Sequence, residues 1–191
     1  MILLSLLLVL VVSACCRGLS ILAESPRWIV VDKPVGVPMH GDDGVLDLVR
    51  ASTGLGSQLR LVHRLDSGTS GCLMMAKDRE MARVLCERLR RRQVRKVYVA
   101  LSASVPQKKQ GTLRGDMEKS RRGAWKLSRS CTRGTCACTD LRVFGLGNGE
   151  DAPKRLVVAK PFTGTTHQVR CAAKAFGAPI FGARAYGGPP A

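Results

Sequence analysis

The chain has 191 residues, enough for one domain, or one domain built of two lobes, with a real hydrophobic core. Hydrophobic residues make up 45% of it, which excludes disorder on composition. Against 14 Asp+Glu there are 31 Lys+Arg, a formal charge of +17, and such an excess suits a polyanion: RNA, DNA or an anionic membrane.

The run Met1–Cys16 is apolar, of signal-peptide length and short for a membrane span, with Val12-Ser13-Ala14 acceptable as a cleavage site. No Lys or Arg precedes it. Residues 1–18 are therefore read as a targeting-like leader, and the fold is expected over 19–191. Arg27–Asp32 is β-branched and reads as a buried strand, stopped by the rigid Lys33–Pro38. A short helix follows over Asp43–Ser52 behind Asp caps. Leu59–His63 reads as a strand entering a polar, glycine-bracketed knot, His63-Arg-Leu-Asp-Ser-Gly-Thr-Ser-Gly71, and Cys72–Ala76 as a strand leaving it. Asp78 caps a helix with Met81, Val84, Leu85 and Leu89 on one face. That helix ends in Arg88, Arg90, Arg91, Arg92, Arg95 and Lys96, more cations than a helix dipole calls for.

Val94–Ala103 alternates as a strand. From Pro106 to Gly134 the pattern dissolves into a basic loop or insert with one large apolar residue, Trp125. Strands return over Thr139–Phe144 and Arg155–Pro161, around a turn-like Gly145–Gly149. Thr166–Gly177 has a Thr cap, apolar spacing and a Gly stop, and reads as a compact helix. Strands joined mostly by short turns predict an α+β fold, a mixed and largely antiparallel central sheet with flanking helices and loops. The cysteines form no even framework, which favours a reducing compartment. Cys131, Cys136 and Cys138 lack a fourth zinc ligand at a usual spacing, so no metal site is expected.

Three polar groups fall at element ends: Asp66, Tyr98 and Arg170. By itself the Asp66 knot fits a catalytic loop and a surface turn with a local Arg64–Asp66 pair equally well. If Arg170 faced Asp66 at about 4 Å, the gross attraction of about 4 kcal/mol would keep a partly buried carboxylate ionised. Such a carboxylate is a usable nucleophile or base. Tyr98 offers a ring for stacking and a phenol for proton transfer, and fits a core tyrosine equally well.

In this order the motifs resemble the RluA family of pseudouridine synthases. His63–Gly71 with Ala76-Lys77 is similar to the family's central motif, and Lys33-Pro-Val-Gly-Val-Pro-Met-His40 to its first motif. Lys96-Val-Tyr-Val-Ala-Leu101 resembles its tyrosine strand, and Thr163-Gly-Thr-Thr-His-Gln-Val-Arg170 its arginine motif. Gly177–Ile180, Gly182 and Tyr186-Gly187 resemble the segment that follows.

The resemblance implies isomerisation of uridines in rRNA or tRNA to pseudouridine, by glycosidic cleavage and re-attachment through carbon 5. It makes Asp66 the catalytic carboxylate, Tyr98 a stacking ring and candidate base, and Arg170 the partner of Asp66. Arg64 would fill the space left by the extruded nucleotide, with His63, Thr69, Lys96, His167 and Gln168 as further RNA or substrate contacts. It implies an RNA partner, no cofactor, and no obligatory protein partner. Membrane contact is expected only with the leader retained. An organelle or the cytoplasm is favoured over export, because RNA modification has no place in a secretory lumen. The alternative is a catalytically weak RNA chaperone on the same fold. The departures are Thr165 where the family usually has Arg, Ala172 for a frequent His, Ala183 for a usual Asp, and an apparently truncated C-terminus at Ala191. The basic end of the helix after Asp78 and the insert from Lys108 to Arg133 are candidates for phosphate contacts.

Overall fold

In the computed structural model, residues 19–41, 43–146 and 155–190 are described, in two compact units that meet in sequence at Val94 and Arg95. The leader and most of the Gly145–Gly149 turn lie outside the described residues.

The first unit is built on a four-stranded sheet: β1 (Ser20–Glu24), β2 (Trp28–Lys33), β3 (Arg60–Leu61) and β4 (Gly71–Ala76), in the order β1-β2-β4-β3 and antiparallel throughout. Every residue of β4 is buried, so it reads as a continuous apolar run rather than an alternation. Val30, Cys72, Met74 and Ala76 form one cluster with Leu85 of α2 (Arg79–Arg90), and Trp28, Val62, Met81 and Ala82 pack around it. The helix starts as its sequence predicts, with the Asp78 carboxylate accepting from the Met81 amide at 2.7 Å. A bidentate Arg27 contact also holds that carboxylate, at 2.9 and 3.0 Å. Helix α1 (Val45–Thr53) begins at Gly44 with no side-chain cap, in place of the expected Asp, and ends at Gly54 in the left-handed region.

The second unit holds β5 (Tyr98–Ser102), β6 (Gln110–Gly115), β9 (Ala137–Gly145) and β10 (Arg155–Pro161) in the order β5-β10-β9-β6, again antiparallel. A separate ribbon pairs β7 (Met117–Lys119) with β8 (Trp125–Leu127). On β9 the buried residues Ala137, Thr139, Leu141 and Val143 alternate with less buried ones, a sheet with one face on the core. Leu141, Val143, Val157 and Ala159 pack with Ala172 of α3 (Gln168–Ala175) and with Ala178, and Tyr98, Val169 and Phe176 close over them.

The α+β class therefore stands, its strands divided between two four-stranded antiparallel sheets and a two-stranded ribbon. Residues 110–127 correct the reading of 106–134 as loop or insert: they carry an edge strand and a ribbon. The edge strand escaped notice because its five N-terminal residues alternate between exposed and half-buried, and only Leu113 among them is large and apolar. Gly115 ends it where a Cβ would stand 2.0 Å from the Ser128 carbonyl oxygen. The turn after the ribbon brings Cys131 and Cys136 to a Cα separation of 4.8 Å, and a disulfide joins them. Spacing gave no sign of that pair. The turn between them is made by Asp116, whose carboxylate accepts from the Thr132 amide and from the Thr132 and Thr135 hydroxyls. Among the described residues no three His, Cys, Asp or Glu side chains are placed to hold a metal ion, and no helix is long and apolar enough to cross a membrane.

Candidate active site

The knot of the first unit is a tight turn tied down on both sides. The Thr69 amide donates to the Asp66 carbonyl at 2.9 Å, closing a four-residue turn with Gly68 inside it. Ahead of the turn, the Met74 amide of β4 donates to His63 Nε2 at 3.0 Å, so that nitrogen is the unprotonated one and the ring braces the loop against the strand. Behind it, the Ser67 carbonyl accepts from the Gly36 amide at 2.7 Å and from Lys33 Nζ at 3.4 Å. Leu65 is buried, Asp66 half-buried, and Arg64 exposed. Thr69 is half-buried.

Lys33 is the residue that sequence reasoning passed over. Its side chain is 0% exposed, and its ammonium is held by the Pro34 and Val37 carbonyls, both at 2.8 Å, besides Ser67. Burial drives its pKa down from the ordinary lysine value, and the Asp66 carboxylate opposes that shift. The first motif therefore does more than make a rigid turn: it places a cation under the catalytic-loop candidate. A lysine directly before a Pro-x-Gly-x-Pro turn, at the end of a buried strand, was the signal available in the sequence.

In the second unit Tyr98 opens β5 opposite Ala159 and packs half-buried against the core. Lys96, also half-buried, donates to the Thr163 carbonyl at 3.4 Å, and burial lowers its pKa. Gln168 is 4% exposed, and its amide is fully occupied. Its Oε1 accepts from the Thr163 hydroxyl at 2.9 Å and from the Thr165 amide and hydroxyl at 3.1 and 2.9 Å. Its Nε2 donates to the Cys138 carbonyl at 3.0 Å and to Thr139 Oγ1 at 2.9 Å. This corrects the reading of Gln168 as an RNA contact, since no donor or acceptor is left to offer. It also replaces the expected Thr cap on α3: the residue at the cap position is His167, left-handed at φ 55° and without a side-chain cap bond. The Gln168 side chain satisfies the preceding loop instead.

His167 Nδ1 lies 2.6 Å from the hydroxyl of Tyr186, which is buried and accepts from the Trp125 amide at 3.1 Å. Cys171, one turn on, donates to the Trp125 carbonyl at 3.2 Å, and burial pushes its thiol up to about 11. Arg170 sits half-buried in the first turn of α3, two residues after Gln168. The departures at Ala172 and Ala183 lie in buried apolar clusters. The hydroxyl of Thr165 serves the Gln168 network. Each is absorbed by this chain's own packing.

Thus the first unit brings together His63, Arg64, Asp66 and Thr69 over Lys33, and the second gathers Lys96, His167, Gln168 and Arg170 around the Thr163–Gln168 loop, with Tyr98 on the neighbouring strand. All lie within residues 27–175, the stretch that matches the family model described as RNA pseudouridylate synthase. The chain belongs to this family. An RNA pseudouridine synthase of Haemophilus influenzae is 36% identical over 172 residues, which cover 88% of this chain and 74% of the relative. The ribosomal large subunit pseudouridine synthase C of Rickettsia bellii is 32% identical over 170 residues, 86% of this chain and 55% of that one. The solved structure of human RNA Pseudouridylate Synthase Domain Containing 1 superposes with a TM-score of 0.74 at 30% identity, covering 88% of this chain and 69% of the other.

The pseudouridine synthase resemblance, its RluA type and the α+β catalytic fold are accordingly shown, and with them an isomerase acting on RNA. The RNA-chaperone alternative is not favoured.

Proposed function

We propose that this pseudouridine synthase modifies uridines of large-subunit ribosomal RNA and that Asp66 carries the chemistry. The substrate reading rests on the type-C relatives, whose own name gives that RNA. The residue reading rests on one observation above the rest: the Asp66 turn is pinned at His63, Asp66 and Ser67, with a buried ammonium beneath it. A turn held at its backbone on both sides fixes where the side chain it carries stands, as a reacting group requires.

The reaction is an isomerisation and needs no oxidant. The bond from ribose C1′ to N1 breaks, the uracil turns, and C1′ bonds to C5. The proton on C5 leaves and N1 gains one. Asp66 starts it either by attacking C1′ or by removing the 2′ proton to give a glycal, and both routes need the ionised carboxylate. Tyr98 would stack on the base and take the C5 proton. Arg170 would keep the cationic role that the family resemblance gives it, Arg64 would occupy the vacated stack, and Thr69, Lys96 and His167 would meet the nucleotide or its phosphates. Extrusion of the uridine favours unstacked loop positions.

Nucleoside analysis of large-subunit RNA incubated with the protein tests this. Wild type should yield pseudouridine, and Asp66→Asn should lose at least about a thousandfold in rate, as expected on removal of a group acting at the reacting bond. Tyr98→Phe should retain binding and lose turnover. Product on transfer RNA alone would overturn the substrate, and product surviving Asp66→Asn would overturn the residue.

A further inference from the structure

The C-terminus of α2 closes in a Schellman turn: the Arg92 amide donates to the Leu89 carbonyl at 3.1 Å and the Gln93 amide to the Arg88 carbonyl at 2.9 Å. Such a turn puts one residue in the left-handed region, ordinarily glycine. The other two helices comply, with Gly54 at φ 68° after α1 and Gly177 at φ 84° after α3. Helix α2 places Arg92 there, at φ 59°, one of two non-glycine residues with positive φ among the described residues. Around it Arg88, Arg90 and Arg91 are exposed. Glu87 engages Arg90 at 2.7 Å and Arg91 at 2.5 Å, and these contacts hold its carboxyl below the usual range. Among the described residues neither Arg88 nor Arg92 has an acidic partner. The helix dipole asks for about half a unit of positive charge here, and four guanidinium groups less one carboxylate exceed it.

We infer that the Arg88–Arg92 shoulder is a docking surface for the phosphodiester backbone of RNA, outside the reacting nucleotide. The inference rests on the proposal of an RNA substrate. A backbone conformation that disfavours every side chain is kept here by a long cation, where glycine would serve the turn without strain. Guanidinium forks match phosphate oxygens in pairs. The apolar residues of this turn, Leu85 and Leu89, are buried and half-buried, so the shoulder presents charge without an apolar face to insert into lipid.

The decisive variant is Arg92→Gly in the full chain, with Arg92→Lys beside it. Binding of a fluorescein-labelled 20-residue oligouridylate is measured from 50 to 300 mM KCl, with thermal melts in parallel. Arg92→Gly should melt higher, by about 2 °C, because strain is relieved. It should bind RNA about fivefold more weakly at 100 mM salt, with a salt slope shallower by about 0.7, one phosphate contact. Arg92→Lys should keep the slope and gain no stability. On ribosomal RNA, Arg92→Gly should raise KM more than it lowers kcat. Wild-type affinity and slope in Arg92→Gly would overturn the inference, whatever the activity. So would loss of binding to phosphatidylserine vesicles with RNA binding intact. Weaker RNA binding by Arg92→Gly, in a protein that makes no pseudouridine, would uphold the shoulder and sink the enzymatic assignment instead.

Discussion

Gln168 and Lys33 carry the same lesson from opposite directions. A glutamine in a polar motif two residues before the candidate Arg170 reads as a substrate contact, and a lysine opening a proline turn reads as part of that rigid turn. Burial gives each of them another role. Gln168 saturates its amide on Thr163, Thr165, Cys138 and Thr139, and so braces the loop that precedes α3. Gln168→Leu keeps the volume and strips those partners. It should cost roughly 2–3 kcal/mol, the penalty for leaving buried polar groups unpaired. A lowered urea midpoint with an unchanged slope would show it. Gln168→Glu, which keeps the acceptors and loses the two donors, should fall between. Asp66 was legible as a candidate because few acids stand among so many cations. That it stands over a buried ammonium was not, because burial is not a property of a residue type.

At the scale of elements, α2 shows how far local rules reach. Its cap, apolar face and basic end were all readable, since each depends on residues within one or two turns. The Asp78 cap also carries a pH dependence. Hydrogen bonds from Arg27 and the Met81 amide hold the Asp78 carboxyl down at about 2, below its ordinary 3.8. With the folded pKa depressed, the folded state binds the proton less readily than the unfolded one. The stabilisation is therefore complete above about pH 4 and is lost as pH falls through 2. Melting temperatures of wild type and Asp78→Asn should differ at pH 6 and converge towards pH 2, and a constant gap would refute the linkage. Strand β6 was missed for the opposite reason. An edge strand with glycine at 111 and 115 has too few apolar residues to show a period of two, and its identity comes from pairing with β9, some thirty residues on.

For the whole molecule the dominant property is charge. A surplus of 17 positive charges makes association with RNA the salt-sensitive step and leaves the closed chemistry largely unscreened. Turnover at subsaturating RNA should fall steeply between 50 and 200 mM salt, while kcat at saturating RNA changes little. Equal loss in both regimes would place the salt effect in the chemistry.

Composition and local pattern by themselves determined the α+β class, the preference for a polyanion, most of the strands and helices, the loop bearing Asp66 and the helix bearing Arg170. These depend on residue type and on spacing along one element. Only the tertiary structure decided that Lys33 lies buried against the Asp66 turn, that Gln168 is a brace, that Cys131 meets Cys136, and that Arg92 occupies a glycine's place. Those outcomes hang on desolvation, on distances between segments far apart in sequence, and on the backbone angle at one residue. No count of neighbours along the chain contains them.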